Sequence, residues 1–147
     1  GAVLSVEGPA GGFTLPRPVA DRALLFVAGG VGIAPLRAMI QEALACARPP
    51  ELSLLYSART ADDFAFAAEF EALAADHRLR FVRTVTGERS ATARPAGRIT
   101  REMLASLITG PDTRCFVCGP GELVGDVSLL LRAIGIPPDL IVREAWS

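Results

Sequence analysis

Two periods of apolar spacing alternate along the chain. Short runs dense in Val, Leu, Ile and Phe occupy residues 24–28, 52–56, 79–85, 114–118 and 140–144. They are nearly continuous rather than alternating, the pattern of strands buried on both faces. Between them the spacing turns helical. Residues 35–47 place Leu36, Met39, Ile40, Ala43, Leu44 and Ala47 on one face. Residues 61–75 follow Thr60-Ala-Asp-Asp63, a capping-box pattern, and carry Phe66, Phe70 and Leu73 inward. A shorter helix is predicted over 100–107, starting at Thr100. Residues 121–134 align Leu123, Val127, Leu130, Leu131 and Ile134, and stop at Gly135 before Pro137 and Pro138.

Strand and helix in alternation mean βαβ units, which force parallel pairing and right-handed crossovers. The predicted fold is therefore α/β: a three-layer, doubly wound parallel sheet of about five strands with helices on both faces. The first 20 residues read differently. Residues 3–6 suit one strand, Glu7-Gly-Pro-Ala-Gly-Gly12 is a turn-rich loop, and Arg17-Pro-Val-Ala20 reads as a linker. The predicted division is thus a C-terminal remnant of another unit over 1–20 and the α/β domain over 21–147.

Composition narrows the partners. The chain of 147 residues has a net charge of −1, which points to neither a nucleic-acid nor an anionic-membrane partner. Its longest apolar stretch, residues 23–36, is too short to span a bilayer and contains glycines and a proline. The opening residues show no secretory-signal pattern. Three cysteines, an odd number, argue against a disulfide framework, and a reducing cytoplasm is the expectation.

Candidate chemistry begins after the first strand. Gly29-Gly-Val-Gly32 joins a strand to a helix that carries Pro35 in its first turn. Glycines there permit positive φ and let a diphosphate approach the backbone. Unpaired N–H groups and the helix dipole favour an anion. The pattern Gly30-x-Gly32-x-x-Pro35 departs from the dinucleotide fingerprint, because proline stands where its third glycine would be. A tight turn without a ligand is the competing reading.

Other segments fall at equivalent strand ends: Tyr56-Ser-Ala-Arg59-Thr60, Gly97-Arg-Ile-Thr100, Cys118-Gly-Pro120 and Ile141-Val-Arg-Glu-Ala-Trp146. In this order and spacing, over residues 22–147, the chain resembles the NAD(P)-binding domain of the ferredoxin–NADP reductase superfamily. Gly8-Pro-Ala-Gly-Gly-Phe13 is similar to the end of that family's flavin-binding barrel. The resemblance implies that NAD(P)H lies across the carboxyl edge of the sheet and passes hydride to flavin N5. Gly30, Val31, Gly32, Ile33, Ala34 and Pro35 would contact the nucleotide. Cys118, with Gly119 and Pro120, would sit near the nicotinamide C4 and orient the ring. Glu144 matches the family's C-terminal carboxylate, and Trp146 the aromatic that can cover a flavin.

Plainer readings stay open. Cys118 also suits a small buried residue at a strand end, Glu144 a solvated charge, and Trp146 packing. Cys115 and Cys118, three apart on a strand, should point to opposite faces, so neither a disulfide nor a metal site is expected from them. His77, in a polar loop, reads as solvated.

Ser57 and Arg59 at the end of the second strand, with Arg98, suit a ribose 2′-phosphate better than a 2′-hydroxyl, a lean toward NADPH. Pairing of Arg59 with Asp62 or Asp63 is the alternative. The family's Arg-x-Tyr-Ser/Thr flavin motif is not in the sequence. FAD is therefore expected only with a barrel domain, in the same or another polypeptide. An iron–sulfur or other acceptor protein would follow. The alternative function is a standalone, non-catalytic nucleotide-binding or interaction module. A flavodoxin-like domain is a third reading, weakened by a first loop that lacks a Ser/Thr-rich phosphate cradle.

Overall fold

A computed structural model describes residues 13–19, 22–87 and 97–146. The expected strand over 3–6 and the barrel-like segment up to Gly12 lie outside the described residues. Five strands, β1 (Leu24–Gly29), β2 (Leu52–Ala58), β3 (Arg80–Val85), β4 (Arg114–Pro120) and β5 (Ile141–Trp146), form one parallel sheet in the order β3-β2-β1-β4-β5. Four helices connect them: α1 (Ile33–Leu44), α2 (Ala67–Ala75), α3 (Arg101–Leu107) and α4 (Gly121–Ile134). This is the doubly wound α/β fold that the alternation of periods predicts.

The central strands sort their side chains by parity, as a pleated strand must. Leu24, Phe26, Ala28, Leu54, Tyr56, Phe116 and Cys118 face one core with Leu36, Ile40 and Ala43 of α1 and Phe70 of α2. Leu25, Val27, Leu55, Cys115 and Val117 face the other, with Leu104 and Leu107 of α3 and Val124, Val127 and Leu131 of α4. Cys115 and Cys118 thus lie on opposite faces, as their spacing predicts. Phe13 and Leu15 are buried in the first core, Phe13 edge-on to Phe116 at 6.0 Å.

Three helices depart from the expected pattern. The capping box at Thr60 and Asp63 is present, but it closes a 3₁₀ turn, Ala61–Asp63, and not a long helix. The chain then extends so that Phe64 meets Tyr56 edge-on at 5.0 Å, and Phe66 takes φ 59° before α2 begins. Burial of Phe64 wins over continuous helix. Phe66 is consequently 43% exposed, not inward, with the Arg37 guanidinium 4.3 Å from its ring centre. The helix expected over 35–47 instead spans Ile33–Leu44, because Gly30–Gly32 already winds as a 3₁₀ turn. Pro35 is its third residue, where a missing N–H still costs nothing. On α4 the stripe is rotated slightly, burying Val124 and Ser128 while Leu123, Leu130 and Ile134 are partly covered.

Candidate functional site

With β1 central, connections run outward in both directions, and the sheet has its switch point between β1 and β4. Ligands of open α/β sheets lie beyond the strands' carboxyl ends at such a point. A cleft of about 740 Å³ opens there. Its floor is the end of β1 and the turn after it, Gly29, Gly30 and Val31. Gly30 has φ +54°, a conformation glycine adopts without strain. The first turn of α1 carries no acidic residue, so its free N–H groups and positive dipole end face no competing carboxylate of its own.

One side of the cleft comes from β2 and β3. Ser57, Arg59, Asp63, Thr86 and Gly87 line it. Backbone hydrogen bonds from Thr86 N–H to Ala58 O (2.9 Å) and from Gly87 N–H to Arg59 O (2.8 Å) tie the two strand ends together. Ala65 N–H donates to the buried Tyr56 hydroxyl at 3.2 Å, which fixes the loop after β2. Arg59 is exposed and pairs with neither Asp62 nor Asp63; Asp63 instead accepts from Thr60 N–H at 3.1 Å. The other side is Pro120 with Leu123 and Val127 of α4, and Ile99. Arg98 crosses toward this side, Nη2 2.9 Å from Glu122 Oε1 and Nη1 3.5 Å from Asp126 Oδ2.

A second cluster lies beside the cleft. The register pairs Cys118 with Glu144 and Pro120 with Trp146, so these side chains share one face of the sheet edge. Gly32 abuts them. A Cβ there would overlap the Cys118 carbonyl oxygen and lie 2.7 Å from Trp146 Cη2. Gly119 presses on Gly29, where a Cβ would stand 3.2 Å from its nitrogen. Cys118 is 1% exposed, and burial with the Glu144 carboxylate beside it pushes its thiol up to about 11. It is a neutral thiol near pH 7, a poor nucleophile. Cys115, on the other face, is pushed up by burial to about 12.

The structure therefore gathers the sequence candidates into two adjoining groups. Gly30, Val31, Ser57, Arg59, Arg98 and Pro120 line the cleft. Gly32, Cys118, Glu144 and Trp146 form the neighbouring cluster, which Gly119 adjoins. Ile33 is a core side chain, 1% exposed, and offers only backbone. Ala34 is exposed and Pro35 half-buried on α1, outside the cleft lining. Sequence reading missed Thr86, Gly87, Glu122 and Asp126. Thr86-Gly87 was findable as the turn after the third strand, and Glu122 with Asp126 as an i, i+4 pair on one helix face. Among the described residues no group of His, Cys, Asp and Glu is placed to hold a metal, and no helix is long and apolar enough to cross a membrane.

Residues 26–128 match the model of the oxidoreductase NAD-binding domain. The chain belongs to that family. Ferredoxin–NADP reductase B of Sorangium cellulosum is 34% identical over 156 aligned positions, covering 100% of this chain and 63% of the reductase. The xylene/toluene monooxygenase electron transfer component XylA of Pseudomonas putida is 29% identical, covering 99% of the chain and 42% of XylA. Among solved structures, the Amycolatopsis cytochrome P450 reductase GcoB superposes with a TM-score of 0.80 at 27% identity, over 94% of this chain and 42% of GcoB. The resemblance to ferredoxin reductases read from the strand-end motifs is borne out, and with it the fold. The chain spans less than two thirds of the length of these relatives.

Proposed function

We propose that this NAD-binding domain holds NAD(P)H for hydride transfer to a flavin and serves a flavoprotein reductase that passes electrons to a redox partner. The observation that carries this reading is the meeting of Gly32, Cys118 and Trp146, which come from distant parts of the chain and converge beside the cleft. A structural turn alone has no need to bring a strand-end thiol, a carboxylate and an aromatic to one place.

In this reading the Gly30–Gly32 turn and the start of α1 take the diphosphate. Cys118, with Gly119 and Pro120, forms the seat of the nicotinamide. Its neutral, buried thiol orients the ring by contact, since a hydride moves without acid–base help from the protein. Glu144 stands exposed at the same edge, available to the carboxamide or to the partner domain, and Trp146 supplies an apolar surface that excludes water. Ser57 and Arg59 favour a ribose 2′-phosphate, and hence NADPH, on the β2 side. A bound FAD would supply the hydride acceptor. Trp146 would face it, and a flavin-binding domain, in this polypeptide or another, would hold it. An iron–sulfur or other electron acceptor is the expected onward partner, and residues 1–20 read as the barrel's end.

Calorimetric titration of the chain with NADPH and with NADH tests the reading. Saturable binding of at least one is expected. Gly32→Val, which drives a side chain into Cys118 and Trp146, should abolish it while Gly125→Ala leaves it intact. No binding of either dinucleotide at millimolar concentration overturns the reading.

A further inference from the structure

The cleft's charge does not favour an extra phosphate. Its lining carries two guanidinium groups, Arg59 and Arg98, against three carboxylates, Asp63, Glu122 and Asp126. The two cations are also not equivalent. Arg59 has no ion-pair partner among the described residues, whereas Arg98 is drawn across to α4 by Glu122 and Asp126 at 2.9 and 3.5 Å. Gly97 N–H donates to Val85 O at 2.8 Å, and the Thr84 hydroxyl donates to Gly97 O at 2.7 Å, so the backbone beneath Arg98 is anchored to the end of β3. Only its side chain is free to choose between α4 and the β2 side. The acidic first turn of α4 also satisfies that helix's dipole with its own carboxylate, unlike α1.

We infer that Glu122 and Asp126 are specificity-determining residues: by holding Arg98 on the α4 side of the cleft, they withhold it from a ribose 2′-phosphate and temper the NADPH preference that Arg59 creates. This rests on the reading that the cleft takes a dinucleotide. The three side chains are exposed by 75%, 72% and 57% for Arg98, Glu122 and Asp126, so the pairs are weak: a dianionic phosphate must displace them to reach Arg98, at a cost of a few-fold in affinity and not of orders of magnitude. The ribose 2′-hydroxyl of NADH carries no charge and does not compete. Selection against the phosphate thus comes from an occupied cation and not from a missing one.

The test uses the chain, the double variant Glu122→Gln/Asp126→Asn, and that double variant with Arg98→Gln, each titrated with NADPH and NADH at low salt. The double variant should bind NADPH about three- to fivefold tighter and NADH nearly unchanged, and the gain should vanish when Arg98 is also replaced. Equal tightening for both dinucleotides, a gain that survives without Arg98, or a selective loss of NADH affinity (the sign of a carboxylate that binds ribose directly) overturns the inference. If the unaltered chain binds and the double variant behaves like it, the inference alone fails. If the unaltered chain binds neither dinucleotide, the functional reading fails and takes the inference with it.

Discussion

Replacing Gly32 by Ala adds one methyl group at the point where the glycine turn meets β4. That methyl would overlap the Cys118 carbonyl oxygen, stand 2.6 Å from its carbon and 2.7 Å from Trp146 Cη2. The indole can swing aside, but the carbonyl belongs to a strand paired on both edges, with β1 and β5. The start of α1 must therefore lift off the sheet. Overpacking of a rigid site costs about 1–3 kcal/mol, and obstruction by backbone places this case near about 3 kcal/mol. For a chain of this size that lowers the melting temperature by about 10 °C. Gly125→Ala, in the interior of α4 with nothing within 4 Å of its added Cβ, provides the contrast. Alanine's better helix propensity should stabilise it by up to about 1 kcal/mol. The same chemical change then has opposite signs at two glycines. Urea unfolding followed by the fluorescence of Trp146, the sole tryptophan, measures both. A Gly32→Ala variant within about 0.5 kcal/mol of the parent would refute the close-approach reasoning, since surface substitutions fall in that range.

Arg59→Ala should weaken NADPH binding by about tenfold or more, the scale of a lost charge-assisted hydrogen bond, and NADH binding far less; equal losses in calorimetry would remove the 2′-phosphate assignment. Tyr56→Phe deprives Ala65 N–H of its acceptor and should destabilise the fold by about 1 kcal/mol, read from the urea midpoint; an unchanged midpoint would show the bond contributes nothing net. Thr100 caps α3 by accepting from Met103 N–H at 3.2 Å, so Thr100→Ala should cost about 1 kcal/mol in the same assay. Both buried thiols ionise above their ordinary value of 9.0, Cys118 near 11 and Cys115 near 12. The unfolded chain loses these protons first as pH rises, so the thiols' contribution to stability is level below about pH 9 and falls progressively above it through those values. A stability curve flat to pH 11 would contradict that, as would alkylation of Cys118 ahead of the partly exposed Cys46 at neutral pH.

The strands and the two cores were legible because the three central strands are buried on both faces and each helix is apolar on one, a pattern that fixes layers without knowledge of contacts. The motif positions were legible for the same reason: Gly30 directly follows β1, Ser57 and Pro120 stand at the ends of β2 and β4, Arg98 lies between β3 and α3, and a parallel sheet sends every strand's carboxyl end to one edge. What stayed hidden depends on side chains meeting across the chain. The pattern over residues 61–75 is helical by spacing alone, and only the contact of Phe64 with Tyr56 explains its break at Phe66. Arg98 was visible as a cation at the site, yet nothing in its local sequence tells that its charge is taken up by Glu122 and Asp126, on a different helix. The seating of Trp146 on Gly32 is likewise a matter of register between β4 and β5.

The abutment of Gly32 on Cys118 also bears on how the domain folds. The glycine turn forms early in the chain, while β4, which completes its wall, can dock on β1 only after β2, β3 and three helices have been strung between them. Such a contact has high sequence separation, closes slowly and is absent from any partly folded species that lacks β4. A ligand gripped between the two would therefore recognise only chains in which β4 has docked, and its binding energy would add to the stability of the whole domain and not of one loop.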